Sequence, residues 1–88
     1  MQVEFLFSFN KDLGKLSSAI TRKSVKKLIL KLEAAKTLSE IPHIKKLQGH
    51  PDAWRIRLGN YRVGFFFRNN SILLARVVDR KDIYSVFP

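Results

Sequence analysis

Eighty-eight residues allow one domain with a modest core, and a hydrophobic share of 45% is ordinary for a globular chain. The lack of cysteine excludes disulfides, thiolate catalysis and cysteine-built zinc sites, and two histidines alone make a poor case for any metal. A formal charge of +10, from 17 Lys and Arg against 7 Asp and Glu, points to a polyanionic partner, either nucleic acid or an acidic protein, with solvated helix lysines supplying part of the excess.

The opening MQVEFLFSFNKDLG has no basic segment followed by a long apolar run, and no stretch reaches the roughly 18 apolar residues of a membrane span. A cytoplasmic protein with no membrane partner is expected. From Gln2 to Phe9, Val3, Phe5, Phe7 and Phe9 alternate with Gln2, Glu4, Leu6 and Ser8, which predicts a strand with one apolar face. The period then changes. Asn10 is placed to cap a short helix carrying Leu13 and Leu16, which ends at Ser17 or Ser18. Thr21 to Lys36 predicts a longer helix, with Val25, Leu28, Ile29, Leu32 and Ala35 recurring at three and four. Its lysine-rich outer face either covers a sheet in solvent or scans nucleic acid. Thr37 to Pro42 reads as a loop, extended before Pro42.

His43 to Asp52 is a polar approach to the strongest signal in the chain. His50-Pro51-Asp52 predicts a turn, because Pro fixes φ and Asp bonds its own backbone. His50 is also a candidate acid–base group, since imidazole changes charge near neutrality. In Trp54-Arg55-Ile56-Arg57-Leu58, apolar and basic residues alternate with period two. Trp54, Ile56 and Leu58 therefore face a core, and Arg55 and Arg57 face away from it. Gly59-Asn60 predicts a two-residue hairpin turn with the positive φ supplied by Gly. That turn sets Leu58 against Tyr61, Arg57 against Arg62, Ile56 against Val63 and Arg55 against Gly64. Like charges facing each other destabilise a ladder unless something offsets them, so Arg57 and Arg62 look arranged to receive an anion.

Arg68-Asn69-Asn70-Ser71 makes a second turn, and Ile72 to Val78 a further strand. A plain two-residue loop sets Arg76 beside Val63 on the helix-covered face, where it needs a carboxylate such as Glu33. A bulge or a three-residue loop sets it opposite Gly64 among the other arginines. Asp79 to Pro88 packs Ile83, Val86 and Phe87 and returns Arg80 and Tyr84 to the sheet end. The order β-α-α-β-β-β predicts an α+β domain spanning 1–88: a small antiparallel sheet of about four strands with two helices on one face. Gly64 leaves room on the other face for a backbone or phosphate. Phe66 or Tyr84 can stack a base there, or Phe66 is core against the carboxy-terminal segment. Lys45, Lys46, Phe66 and Lys81 are candidate RNA contacts.

The run KKLQGHPDAWRIRLGNYRVGFF followed by VVDRKDIY resembles the RelE/ParE superfamily of bacterial and archaeal toxins, whose pattern has a K-L-x-G turn, a basic strand, a G-x-Y-R hairpin and an H-R-x-D-V-Y ending. The resemblance implies a microbial-ribonuclease-like fold and a toxin silenced by a cognate antitoxin, acidic and partly disordered, with operator DNA bound only through the complex. In the RelE branch the toxin enters the ribosome and cleaves messenger RNA; in the ParE branch a similar fold inhibits DNA gyrase without chemistry. A third reading is a catalytically weak member acting mainly through its antitoxin. For a RelE-like enzyme the resemblance assigns Arg55, Arg57, Arg62, Arg80 and Tyr84 to catalysis, with no cofactor and no metal. Two departures stand out: arginines replace the lysines of the RelE basic strand, and Asp79 stands where many members have histidine. Asp79 is then either the base or an ion-pair partner of Arg80.

Overall fold

The computed structural model describes all residues, 1–88. Strands β1 (Gln2–Phe5), β2 (Ile44–Lys46), β3 (Ala53–Leu58), β4 (Tyr61–Arg68) and β5 (Ser71–Asp79) form one sheet in the order β1-β5-β4-β3-β2. Helices α1 (Phe7–Lys15) and α2 (Ala19–Ala34) precede β2, and a short α3 (Ile83–Val86) follows β5. The α+β class and the placing of α1 and α2 on one face agree with expectation. The sheet differs in two ways. It has five strands rather than four, and it is mixed, because β1 lies parallel to β5 with Val3 opposite Ile72.

The first strand ends at Phe5, four residues short of the predicted limit. Alternation in Phe5, Phe7 and Phe9 imitates a strand, yet α1 begins at Phe7 with Leu6 as its cap, so Asn10 lies inside the helix and caps nothing. Phe9 is fully buried while Phe7 is exposed, which is helical rather than strand spacing. The second helix starts as its serines suggest, with the Ser18 hydroxyl accepting from the Thr21 N–H at 3.2 Å. Val25, Leu28 and Leu32 of α2, with Phe9 and Leu16, pack on Ile56, Val63, Phe65, Ile72, Leu74 and Val77 of the sheet. Trp54 stacks on Phe65 at 6.4 Å between ring centroids, at the margin of this core.

Both hairpins have the anticipated turns. Gly59 takes φ +60° ahead of β4, and Arg57 pairs with Arg62. Asn69 and Asn70 both have positive φ, as a type I′ turn needs, and set Arg68 against Ser71. Of the two registers open for Arg76, the bulge is the one adopted. Phe65 pairs with Leu74 and Gly64 with Arg76, leaving Ala75 as the extra residue. The ion-pair partner of Arg76 is Asp12 rather than Glu33, because α1 runs along the edge of β5 where β1 has ended. Leu6 N–H donates to the Leu74 carbonyl at 2.9 Å, and the Ser8 hydroxyl to the Ala75 carbonyl at 2.6 Å. Asp12, 5% exposed, accepts from the Val77 N–H at 3.0 Å and from Arg76 Nε and a terminal nitrogen at 2.8 and 3.1 Å. No helix is long and apolar enough to cross a membrane.

Two stability predictions follow from these ion pairs. Asp12→Ala strands the Arg76 guanidinium and the Val77 N–H together, and loss of one partner from a largely buried pair costs about 3 kcal/mol or more. Denaturant unfolding should show that loss for Asp12→Ala and a smaller one for Asp12→Asn, which keeps an acceptor for Val77. On the surface, the hydrogen bond from Arg68 holds the Asp52 carboxyl below its usual range. A depressed carboxyl stabilises the fold above its ordinary pKa and loses that contribution as pH falls through the folded value. Melting temperature should therefore fall on acidification, and Asp52→Asn should flatten the fall.

Candidate active site

On the sheet face away from α1 and α2, the lower half is closed and the upper half is open. Ala53, Ala75, Ile83 and Phe87 form a second apolar cluster, with Phe66 against Phe87 at 5.1 Å between ring centroids. Phe87 lies flat on Gly64: a Cβ at that position would stand 2.6 Å from Cγ and Cδ2 of the ring. The space at Gly64 is thus filled by an aromatic ring, not left free for a phosphate. Phe66 is likewise committed to packing, with the Arg68 guanidinium 4.6 Å above its ring centroid.

Above this cluster the strands carry a polar groove of about 320 Å³, lined by His43, Lys45, Arg55, Arg57, Arg62 and Tyr84. Register explains the gathering. Arg57 faces Arg62 across β3 and β4, and Lys45 faces Arg55 across β2 and β3. Extending that pairing sets His43 beside Arg57, whose N–H donates to the His43 carbonyl at 3.1 Å. Tyr84 arrives from α3, which Ile83 and Phe87 anchor in the lower cluster.

Each guanidinium in the groove rests on a neutral partner. Arg57 donates to His43 Nδ1 at 2.9 Å, Arg62 to the carbonyls of Gly59 and Tyr61 at 2.9 Å each, and Arg55 stands 4.8 Å from the Tyr84 ring centroid. No carboxylate lines the groove, and the two ion pairs in the molecule, Arg68–Asp52 and Arg76–Asp12, lie outside it. Hydrogen bonds and the ring quadrupole hold the side chains in place without cancelling their charge. What remains is a preorganised positive site of a size to take a phosphate and its sugar.

The other expected site residues lie around it. Lys46 pairs with Trp54 at the sheet edge and lines, with Arg55 and Tyr84, the groove that adjoins this one. Arg80 and Lys81 are exposed in the turn after β5, outside the groove lining, with the Arg80 N–H donating to the Asn60 carbonyl at 2.8 Å. Asp79 makes no ion pair with Arg80, contrary to one expectation. Its carboxylate accepts from the Lys81 N–H at 3.0 Å, and its pairing with Tyr61 turns it to the face away from Arg62. His50 stands in the turn before β3 and opens on a neighbouring groove with Arg55 and Tyr84. His43 was not singled out by sequence reasoning. The signal was available in part: a three-residue strand from Ile44 to Lys46, paired against the basic strand, carries the residue before it to Arg57.

A helix-backed sheet whose bare face presents unpaired arginines is the architecture of a small toxin class. Residues 3–84 match the family described as ParE toxin of type II toxin-antitoxin system, parDE, and the chain belongs to the RelE/ParE superfamily of such toxins. Toxin RelE3 of Methanocaldococcus jannaschii is 38% identical to it over 89 residues, with 100% of both chains covered. A chain of the RelB-RelE antitoxin-toxin complex from Methanococcus jannaschii superposes with a TM-score of 0.81 at 35% identity, covering 97% of this chain and 99% of that one. The intact RelBE complex of E. coli gives 0.69 at 21% identity over 89% and 94%, a likeness of fold.

The seat of Phe87 yields a prediction about Tyr84. Gly64→Ala forces the Phe87 ring off the sheet, an overpacking that costs about 1 to 3 kcal/mol. With its anchor gone, α3 should release Tyr84 from Arg55. The check is the Arg55 side-chain proton shifts by NMR, displaced by the ring current in the parent and expected at open-chain values in the variant.

Proposed function

We propose that this toxin is a RelE-like endoribonuclease that cleaves messenger RNA on the ribosome and is silenced by a cognate antitoxin. The observation that carries the reading is the groove, in which Arg55, Arg57, Arg62 and Lys45 line one space large enough for a phosphate and its sugar, with no carboxylate among them. Cleavage of RNA by its own 2′-hydroxyl builds negative charge on a five-coordinate phosphorus, and donors fixed in advance around that centre stabilise it most as the charge develops. Arginine suits the task because its planar fork bonds phosphate oxygens in pairs and stays protonated. Tyr84, 73% exposed at the groove wall, has a ring to stack on a base and a hydroxyl to give a proton to the leaving 5′ oxygen. Lys46, Arg80 and Lys81 extend the positive surface around the groove, and Phe66 takes no part in it.

The groove is open on one side and has no enclosed base pocket, which fits a substrate positioned by the ribosome. An acidic antitoxin segment that folds over Arg55, Arg57 and Arg62 would occupy the same charge. The relatives crystallised as RelB-RelE complexes support such a partner. A second reading, a gyrase-binding toxin without chemistry, is favoured by the ParE description of the matched family.

Primer extension on programmed ribosomes separates the two. The parent should cut the messenger, and Arg62→Ala should slow cutting by about 10²-fold or more, the usual consequence of losing one transition-state donor worth about 3 to 4 kcal/mol. Tyr84→Phe should be slowed strongly if the hydroxyl relays the proton, and only mildly if the ring alone is used. A parent that leaves messenger whole and blocks gyrase supercoiling establishes the second reading instead.

A further inference from the structure

We infer that His43 is the general base of this toxin, released for its task when the substrate phosphate takes Arg57. The inference rests on the ribonuclease reading above and supplies what the arginines lack. A group must accept the 2′-hydroxyl proton, and guanidinium has no lone pair to offer. The ammonium form of a lysine has none either, and the Tyr84 hydroxyl already has the part of acid. Asp79, the carboxylate at the position where the family often has histidine, faces away from Arg62 and is held by the Lys81 N–H. Among the six residues of the groove, His43 is the remaining side chain with a ring nitrogen whose lone pair can accept a proton.

Its geometry is particular. The backbone at His43 has φ +60°, in the left-handed region that few side chains occupy and where histidine is one of the enriched exceptions. Both its backbone and its ring are tied to Arg57, the carbonyl at 3.1 Å from the Arg57 N–H and Nδ1 at 2.9 Å from a terminal guanidinium nitrogen. Guanidinium only donates, so Nδ1 accepts, and a neutral ring carries its proton on Nε2. The basic lone pair is therefore occupied in the free protein by the group that the substrate claims. Around the ring stand Lys45, Arg55, Arg57, Arg62 and Tyr84 on the groove side, and Lys27 and Lys31 from α2 in the adjoining groove that His43 and Arg57 also line.

In RNA the attacking 2′ oxygen adjoins the scissile 3′ phosphate. A phosphate oxygen that accepts the N–H of Arg57 leaves Nδ1 without its donor and beside that hydroxyl. The 2′ O–H bond then breaks with its proton passing to Nδ1, and the oxygen's electron pair forms the bond to phosphorus. The bond from phosphorus to the 5′ oxygen breaks with its pair on that oxygen, which takes a proton from Tyr84 or water. A 2′,3′-cyclic phosphate and a 5′-hydroxyl result; the imidazolium returns its proton to solvent, and a Tyr84 phenolate takes one back from it.

The test uses cleavage of ribosome-bound messenger across a pH series by the parent, His43→Asn, His43→Gly and His50→Asn. Asparagine and glycine both accept a positive φ, so neither replacement strains the turn. Loss of a general base typically slows a reaction by about 10² to 10⁴-fold. We expect that loss in both His43 variants, disappearance of the acidic limb of the parent's pH profile, and restoration of His43→Gly by added imidazole. His50→Asn should behave as the parent. His43 variants that cut at the parental rate with the parental pH limb, or a slow His43→Gly that imidazole does not restore, overturn the assignment while leaving the ribonuclease reading intact. A parent that cuts no messenger brings down that reading, and with it this one.

Discussion

One carboxylate, Asp12, sets the geometry on which both faces of the sheet depend. It enters from α1, accepts from the Val77 N–H and holds the Arg76 guanidinium, and so closes the bulge where Ala75 has no partner on β4. The bulge restores the match between two apolar patterns that a plain ladder would put out of phase. Ile72 and Leu74 on one side of it, and Val77 on the other, all reach the helix-covered core. Arg76 lines up with Gly64 and Arg55 instead of being driven under α2. A one-residue slip in a strand reverses every side chain beyond it, so this contact decides which residues of β5 are core.

The two halves of the opposite face are built to different standards. Below, Phe87 fills the place left by the missing side chain of Gly64, and Ala53, Ala75 and Ile83 complete a dry patch. Above, like charges are kept together and none is cancelled by an acid. Facing arginines oppose sheet formation, and the fold tolerates them by giving each a neutral rest: an imidazole, two carbonyls, an aromatic ring. The dry patch secures α3, and α3 brings Tyr84 to the charged half. Packing in one half thus positions a groove-lining side chain in the other.

Elements with a strict local rule were legible in the sequence. The period of Trp54 to Leu58, the Gly59-Asn60 turn and the pair of asparagines after Arg68 gave the register of β3, β4 and β5 within the two alternatives for Arg76, and with it the convergence of Arg55, Arg57 and Arg62. What could not be read was set by distant contacts. Phenylalanines at positions 5, 7 and 9 satisfy a strand period, yet the pairing with β5 ends at Leu6, whose N–H reaches the Leu74 carbonyl, and the chain is helical from Phe7. Three residues of β2 are too few to show a period, so the fifth strand and the arrival of His43 went unseen. Asp12 carries no mark that distinguishes it from a solvated helix residue, and nothing local to Gly64 announces the ring of Phe87.

The shortness of β2 bears on how copies of the free toxin meet. A sheet edge offers unpaired N–H and carbonyl groups to any passing strand, and proteins guard such edges with brevity and charge. Here the outer edge is three residues long, and two of them, Lys45 and Lys46, are exposed cations. A second copy approaching edge to edge would bring ammonium groups against ammonium groups. Brevity and like charge at this edge thereby work together against strand pairing between copies.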